Sequence, residues 1–257
     1  HEMGLVVIGH PSPHGYHAAM PPWLLDLLYI PLALLYLPVL LYQAVVLKKN
    51  RHGWRERCGF IRPRVSRRPC VWIHAVSLGE VNATRSLVAE IERRLPDHDV
   101  AISATTDTGF AAAGQHYQPK PVFRYPLDFS FVVRRVLRRI RPDAIVLMEL
   151  EAWPNLVALA RRQGIPVGIA NGRVTEEGSM RRFRLPLVRG LARRMFANIT
   201  WTGAQDEVYA ERFAELGVRR DRIVVTGSLK YDTALLADRV PGDDRLAEAV
   251  GLDRGRP

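Results

Sequence analysis

From residue 71 to residue 225, short apolar runs alternate with stretches in which apolar residues return every third or fourth position. The run Val71-Trp72-Ile73-His74-Ala75-Val76 is rich in β-formers. It leads into Ser77-Leu78-Gly79-Glu80, after which Ala83, Leu87, Val88, Ile91 and Leu95 keep helical spacing. That pattern predicts a strand, a tight turn and a helix start, with Glu80 at the turn. Further strands are expected over 98–104, 122–125, 144–148, 167–170, 199–202 and 223–225. Helices are expected over 130–140, 156–162 and 179–195, the last interrupted by Pro186. Pro154 suits the first turn of the helix after strand 144–148, because its ring sets φ and its missing N–H would be unpaired there. The polar turn 105–109 can cap a helix or offer hydroxyls to a ligand. Strands alternating with helices of this length imply βαβ units, hence an α/β chain built on a doubly wound, Rossmann-like parallel sheet. In such a sheet the carboxyl ends of the strands share one rim, where ligands gather.

A different pattern comes before the first strand. Residues 27–47 are 21 positions without a formal charge, mostly Leu, Tyr, Val and Ala, a length close to that needed to cross a hydrocarbon core. Lys48, Lys49, Arg51, Arg55 and Arg57 follow, and no Lys or Arg precedes the run, an asymmetry that places the later residues on the cytoplasmic side. Pro31 and Pro38 would kink a helix here and Asp26 shortens it, and no small-residue cleavage site follows. An uncleaved anchor, spanning or embedded in the interface, therefore fits better than a removed signal peptide; a buried helix is the plainer alternative. The organisation expected is a leader over 1–21, an anchor over 22–47, a basic connector over 48–69 that anionic lipid would attract, a Rossmann-like domain over 70–236, and a charged linker over 237–257. His10, His14 and His17 lie among Gly and Pro in the leader. They read as part of a disordered segment, with a metal-binding tract as the alternative.

Charge sharpens this picture. Thirty-seven Lys and Arg against 26 Asp and Glu leave a formal +11, which favours polyanions or an anionic membrane face. Cys58 and Cys70 are the only cysteines, so neither a disulfide framework nor a structural zinc site is indicated. No Gly-x-Gly-x-x-Gly follows the first strand, and neither a P-loop nor a Gly-x-Ser-x-Gly occurs, which argues against a dinucleotide site, a P-loop and a hydrolase triad. The sequence shows no clear nucleic-acid reading motif, and no cofactor is called for.

The predicted sheet puts Glu80, Glu149 and Lys230 at the carboxyl ends of different strands. Two carboxylates and a lysine in a crevice suit a group transfer, one carboxylate accepting a proton from an attacking hydroxyl and the lysine balancing charge on an anionic donor. The plainer reading of Glu80 is an acid favoured near a helix N-terminus. That location lowers a carboxyl pKa, whereas a base near neutral pH needs a raised one, so desolvation or the charge of Glu149 would have to compensate. Glu151 reads more simply as a first-turn acid and Trp153 as a packing residue. The arginines from Arg181 to Arg194 suit phosphate recognition or form a solvated face.

With those motifs in order, the sequence resembles the Kdo (3-deoxy-D-manno-octulosonic-acid) transferases from about Pro22 to Asp232. The residues that carry the likeness are His74-Ala75-Val76-Ser77-Leu78-Gly79-Glu80, Tyr125-Pro126-Leu127-Asp128, Met148-Glu149-Leu150-Glu151-Ala152-Trp153-Pro154-Asn155, Asn171-Gly172-Arg173 and Thr226-Gly227-Ser228-Leu229-Lys230-Tyr231-Asp232. Ala152 stands where a Leu is usual and Gly172 where an Ala is usual. The resemblance implies the amino-terminal, acceptor-binding domain of a GT-B glycosyltransferase at the cytoplasmic face of the inner membrane, preceded by a membrane-anchor helix. It implies CMP-Kdo as donor and the glucosamine 6-hydroxyl of a lipid A precursor as acceptor, with inversion at the anomeric carbon and no metal. Glu80 would then be the proton acceptor, and Glu149 and Lys230 would stabilise the transition state. Ser77, Gly79, Asn171, Arg173, Arg181, Arg182 and Arg184 are the candidates for acceptor binding. The chain ends at Pro257, where the donor domain is expected to begin, and is therefore read as the acceptor half, weak or inactive alone. The alternatives are a non-catalytic membrane-surface module holding anionic glycolipid, and a complete soluble α/β enzyme acting on a small anionic substrate.

Overall fold

The computed structural model of the chain describes residues 21–46 and 53–229. Seven strands form one wholly parallel sheet in the order β3-β2-β1-β4-β5-β6-β7. They are β1 (Cys70–Ala75), β2 (Asp99–Ala104), β3 (Val122–Arg124), β4 (Ala144–Met148), β5 (Val167–Gly172), β6 (Trp201–Ala204) and β7 (Ile223–Val225). The chain winds outward from β1 to β3, returns to β4 on the other side of β1, and then winds out to β7. The order therefore reverses between β1 and β4, the place where open α/β sheets form a crevice at their carboxyl edge.

Strand periodicity explains the layers. Along β1, Cys70 and Trp72 face one apolar core while Val71, Ile73 and Ala75 face the other. In β4, Ile145 and Leu147 divide from Val146 and Met148 in the same way. Both faces are thus buried, as a parallel sheet requires. One is covered by α3 (Leu78–Arg94) and α4 (Asp107–Tyr117), through Val81, Val88 and Ala112. The other is covered by α5 (Ser130–Ile140), α6 (Pro154–Arg162) and α8 (Pro186–Phe196), through Val136, Leu156 and Phe196. Pro154 and Pro186 each open a helix. Thr106 caps α4 by accepting from the Gly109 amide, so the polar turn takes its capping role. Where one arginine-rich helix was expected over 179–195, the chain makes a π-turn (Glu176–Met180), a short α7 (Arg181–Phe183) and then α8. The expected pattern did not include α9 (Glu207–Leu216), which Asp206 caps by accepting from the Tyr209 amide.

The connector differs from expectation. Its described part, 53–69, with the short α2 (Trp54–Arg57), is strapped to the domain. Arg135 donates to the Cys58 carbonyl, Arg139 to that of Ile61, and Arg141 to that of Arg64. Arg64 itself is buried, paired with Asp99 at 2.6 Å and donating to the carbonyls of Ile140 and Arg68. That guanidinium is structural and is not available to lipid.

No helix among the described residues is long and apolar enough to cross a membrane, so the spanning form of the anchor is not supported. Helix α1 (Pro22–Val45) is held to the domain at its start. Its first two turns belong to the domain, because Asp26 accepts from the Ser130 amide at 2.8 Å and Tyr29 donates to Asp128 at 2.9 Å. Many large apolar side chains along α1 are exposed, among them Leu34, Leu35 (78 %) and Val45. Residues 1–20 of the expected leader, the linker over 237–257 and residues 47–52 lie outside the described residues.

Candidate functional site

The turn after β1 is built by Ser77, the N-cap of α3. Its hydroxyl accepts from the Glu80 amide at 3.4 Å and donates to Glu80 Oε1 at 2.9 Å, while Glu80 Oε2 accepts from the Val76 amide at 2.9 Å. This is close to a capping box, in which a first-turn acid reaches back over its own cap. The Ser77–Glu80 spacing was readable in the sequence as that motif. Ser77 therefore orients Glu80, with its hydroxyl proton committed to the carboxylate. Gly79 is exposed at the same turn, and a β-carbon there would meet nothing within 4 Å.

The Glu80 carboxyl is raised above the ordinary carboxylate range. Burial is the largest cause, the hydrogen bonds from Val76 and Ser77 oppose it, and the charge of Glu149 adds to it. The residue is only 9 % exposed. Desolvation thus outweighs the hydrogen bonds made at the turn, which is the direction that a base at this position would need.

Glu149 follows β4 directly, and its amide donates to the Ala170 carbonyl at 2.9 Å. Because β1 and β4 are neighbours in register, the carboxyl ends that carry Glu80 and Glu149 are adjacent at the reversal point. Glu151 joins them: its carboxyl is pushed up first by burial and then by the charges of Glu80 and Glu149, against a hydrogen bond from Trp153. The centre is therefore a trio of acids, and Glu151, which precedes α6 and its N-cap Trp153, is not the first-turn helix acid that the sequence pattern suggested. Trp153 is half-exposed and donates to Glu151 at 3.3 Å.

Two residues in this rim hold left-handed backbone, Glu149 (φ 55°) and Asn171 (φ 54°). Such a conformation costs a non-glycine residue roughly 1–2 kcal/mol. Glu149→Gly is expected to leave thermal stability unchanged or raise it by up to about 1 kcal/mol, while removing a carboxylate from the trio. A melting curve that shows clear destabilisation would mean that the Glu149 side chain supports the fold.

Asn171 is buried at the end of β5. Its Oδ1 accepts from the Leu229 amide at 3.1 Å, and its Nδ2 has no partner among the described residues. Leu229 ends the described chain, and Lys230 lies outside it. Arg173 is exposed and is held by Tyr209, with Glu149 close enough to contribute to its raised pKa. Arg181 and Arg182 are exposed on α7. Arg184 is engaged by Glu176 and Glu215, which weakens its candidacy as an acceptor ligand. A concavity of about 1080 Å³, lined by Arg55, Phe60, Arg62, His98 and Lys120 among others, lies by the amino ends of β2 and β3, away from this rim.

Beneath the rim are groups that stand in the quoted motifs but to which the sequence assigned no role. His74 is wholly buried, stacked on Tyr125 at 3.8 Å between ring centres, and its Nδ1 meets the Ser103 hydroxyl at 3.0 Å. Burial pushes its imidazole down to about 3, which keeps it neutral. Asp128 is raised to about 7, burial outweighing the hydrogen bonds from the amides of Asn155 and Leu156 and from Tyr29. It caps α6 from 27 residues away; only the folded chain reveals that role.

Comparison with known proteins agrees with this architecture. A family profile described as 3-deoxy-D-manno-octulosonic-acid transferase (kdotransferase) matches residues 52–233. A 3-deoxy-D-manno-octulosonic acid transferase of Bordetella pertussis is 38 % identical over 195 residues, covering 73 % of this chain and 42 % of the relative. One from Chlamydia muridarum is 31 % identical over 196 residues, covering 75 % and 45 %. The chain spans about half the length of the curated relatives it matches. Among solved structures, the UDP-GlcNAc 2-epimerase of Methanocaldococcus jannaschii superposes with a TM-score of 0.51 at 15 % identity, covering 72 % of this chain and 54 % of that one; this likeness concerns the fold. Glu80, Glu149 and Asn171, with the strands that carry them, all fall inside the matched range, and the chain belongs to the 3-deoxy-D-manno-octulosonic-acid transferase family.

Proposed function

We propose that this chain is the acceptor-binding, amino-terminal domain of a GT-B glycosyltransferase that moves Kdo from CMP-Kdo to the glucosamine 6-hydroxyl of a lipid A precursor. The observation that carries the reading is the meeting of Glu80 and Glu149 at the sheet's reversal point, in a chain of this family. Glu80 takes the proton of the acceptor hydroxyl as its oxygen bonds to the anomeric carbon from the face opposite the phosphate. The bond from that carbon to the phosphate oxygen breaks, and CMP leaves with the electron pair, so the configuration inverts. Glu149 stabilises positive charge developing on the sugar, and Lys230 balances the departing phosphate. Gly79 leaves room beside the turn for the acceptor, and Arg173, Arg181 and Arg182 face its phosphates, with the buried Asn171 amide as a further donor. The exposed apolar side chains of α1 rest in the interface of the inner membrane at its cytoplasmic face.

The test is CMP release from CMP-Kdo in the presence of a tetraacylated lipid A precursor. This chain is compared with one completed by the carboxyl-terminal half of a relative. Release by the completed chain and little by this one is the expected result. A folded, completed chain that binds the lipid and never releases CMP would leave a glycolipid-binding module as the better account.

A further inference from the structure

An acid inside an apolar helix is costly unless its oxygens are satisfied, and Asp26 is the one charged residue of α1. Its partners are far away in sequence. Oδ1 accepts from the Ser130 amide at 2.8 Å and from Asn155 Nδ2 at 2.9 Å, and Oδ2 accepts from the Ser130 hydroxyl at 2.6 Å. Asn155 Nδ2 donates also to the Asp128 carbonyl at 2.6 Å. The Asp128 carboxylate then takes three donors: the Asn155 amide and the Tyr29 hydroxyl on Oδ2, and the Leu156 amide on Oδ1, each at 2.9 Å. Helix α6 has no capping side chain at its own N-cap, Trp153. Its first amides are satisfied by Asp128, and Asp128 and Asn155 are in turn held by α1.

This clamp stands at one end of the segment that carries the acids. Residues 149–153 run from the end of β4 to the start of α6. The β4 ladder fixes the first end, and the clamp fixes the second. We propose that Asp26 and Asp128 are positioning residues that couple α1 to the acidic segment 149–153, so that the seating of the apolar helix sets the geometry of Glu149 and Glu151. The catalytic consequence rests on the transferase reading above; the coupling itself does not.

Hydrogen exchange followed by mass spectrometry on this whole chain tests the coupling without any assay of transfer. Asp26→Ala is expected to speed exchange of the amides in 149–156 by about ten-fold, the effect of losing one charge-assisted hydrogen bond at the clamp, while β1, β2 and β5 exchange as in the parent. Asp26→Asn keeps one acceptor oxygen and should recover part of the protection. Tyr29→Phe removes a single bond to Asp128 and should give a smaller change in the same peptide, which covers the case in which Asp26→Ala fails to fold. Faster exchange confined to α1 and the start of α5, with 149–156 unchanged, overturns the proposal. In the completed enzyme, Asp26→Ala should lower kcat with little change in the KM for CMP-Kdo. An unchanged kcat alongside faster exchange would retain the coupling and remove its catalytic role. Absence of transfer by the parent enzyme would count against the transferase reading alone.

Discussion

Glu80→Gln, made in a chain completed with a relative's carboxyl-terminal half, is expected to lower kcat for Kdo transfer by about 100- to 10,000-fold, the usual worth of a positioned general base. The fold should survive the change. Gln has the same shape, its carbonyl oxygen can accept from the Val76 amide, and its NH2 can donate to the Ser77 hydroxyl, so both contacts of the turn persist. The parent's pH profile carries the same logic with a definite sign. Because burial holds the Glu80 carboxyl above the ordinary range, the rate should fall on the acid side at a higher pH than a solvent-exposed glutamate would give, since the base must be ionised to act. Steady-state rates from pH 5 to pH 9 on parent and variant would decide the matter. A variant within three-fold of the parent would make Glu80 a capping residue and nothing more.

Trp72→Ala should be the most damaging single change to stability, by about 3–5 kcal/mol. The indole lies wholly buried in the interior strand β1, packs against Phe123 and Tyr125 at ring-centre distances of 5.5 and 6.2 Å, and donates from Nε1 to the Ser103 hydroxyl at 2.8 Å. Removing it opens a cavity between the sheet and the α5–α6 layer. It also disturbs the hydroxyl that meets His74 Nδ1. Trp72→Phe keeps most of the apolar volume and should cost roughly 1–3 kcal/mol. Urea unfolding of the three proteins separates the two contributions; equal losses for Phe and Ala would assign the effect to the hydrogen bond and not to packing.

Much of the sheet could be read along the chain. The runs at 144–148 and 223–225 are the strands β4 and β7 as predicted, and 130–140 is α5, because the first two are short continuous apolar runs and the third keeps helical spacing. Pro154 could be placed at a helix start, since proline has a single comfortable role there. The capping contacts of Glu80 were written in the Ser-x-x-Glu spacing. α9 was missed because its apolar spacing is weak; the signals that could have found it stand at its two ends, Asp206 as N-cap and Gly217 after the last turn.

Other features depend on encounters that no local pattern encodes. The charge-free run at 27–47 has the length of a membrane span, yet Asp26 and Tyr29 tie its start to Ser130, Asn155 and Asp128, up to 129 residues away. The basic connector looks like a lipid-facing tail, but the described part spends its carbonyls on Arg135, Arg139 and Arg141. Periodicity and turn chemistry act within a few residues, so the chain alone tells which segments are strands and where acids sit at their ends. Strand order, and hence the neighbouring of Glu80 with Glu149, depends on which surfaces bury one another. So do the raised carboxyl of Glu80 and the remote caps of α5 and α6, because desolvation and long-range hydrogen bonds exist only once the layers have closed.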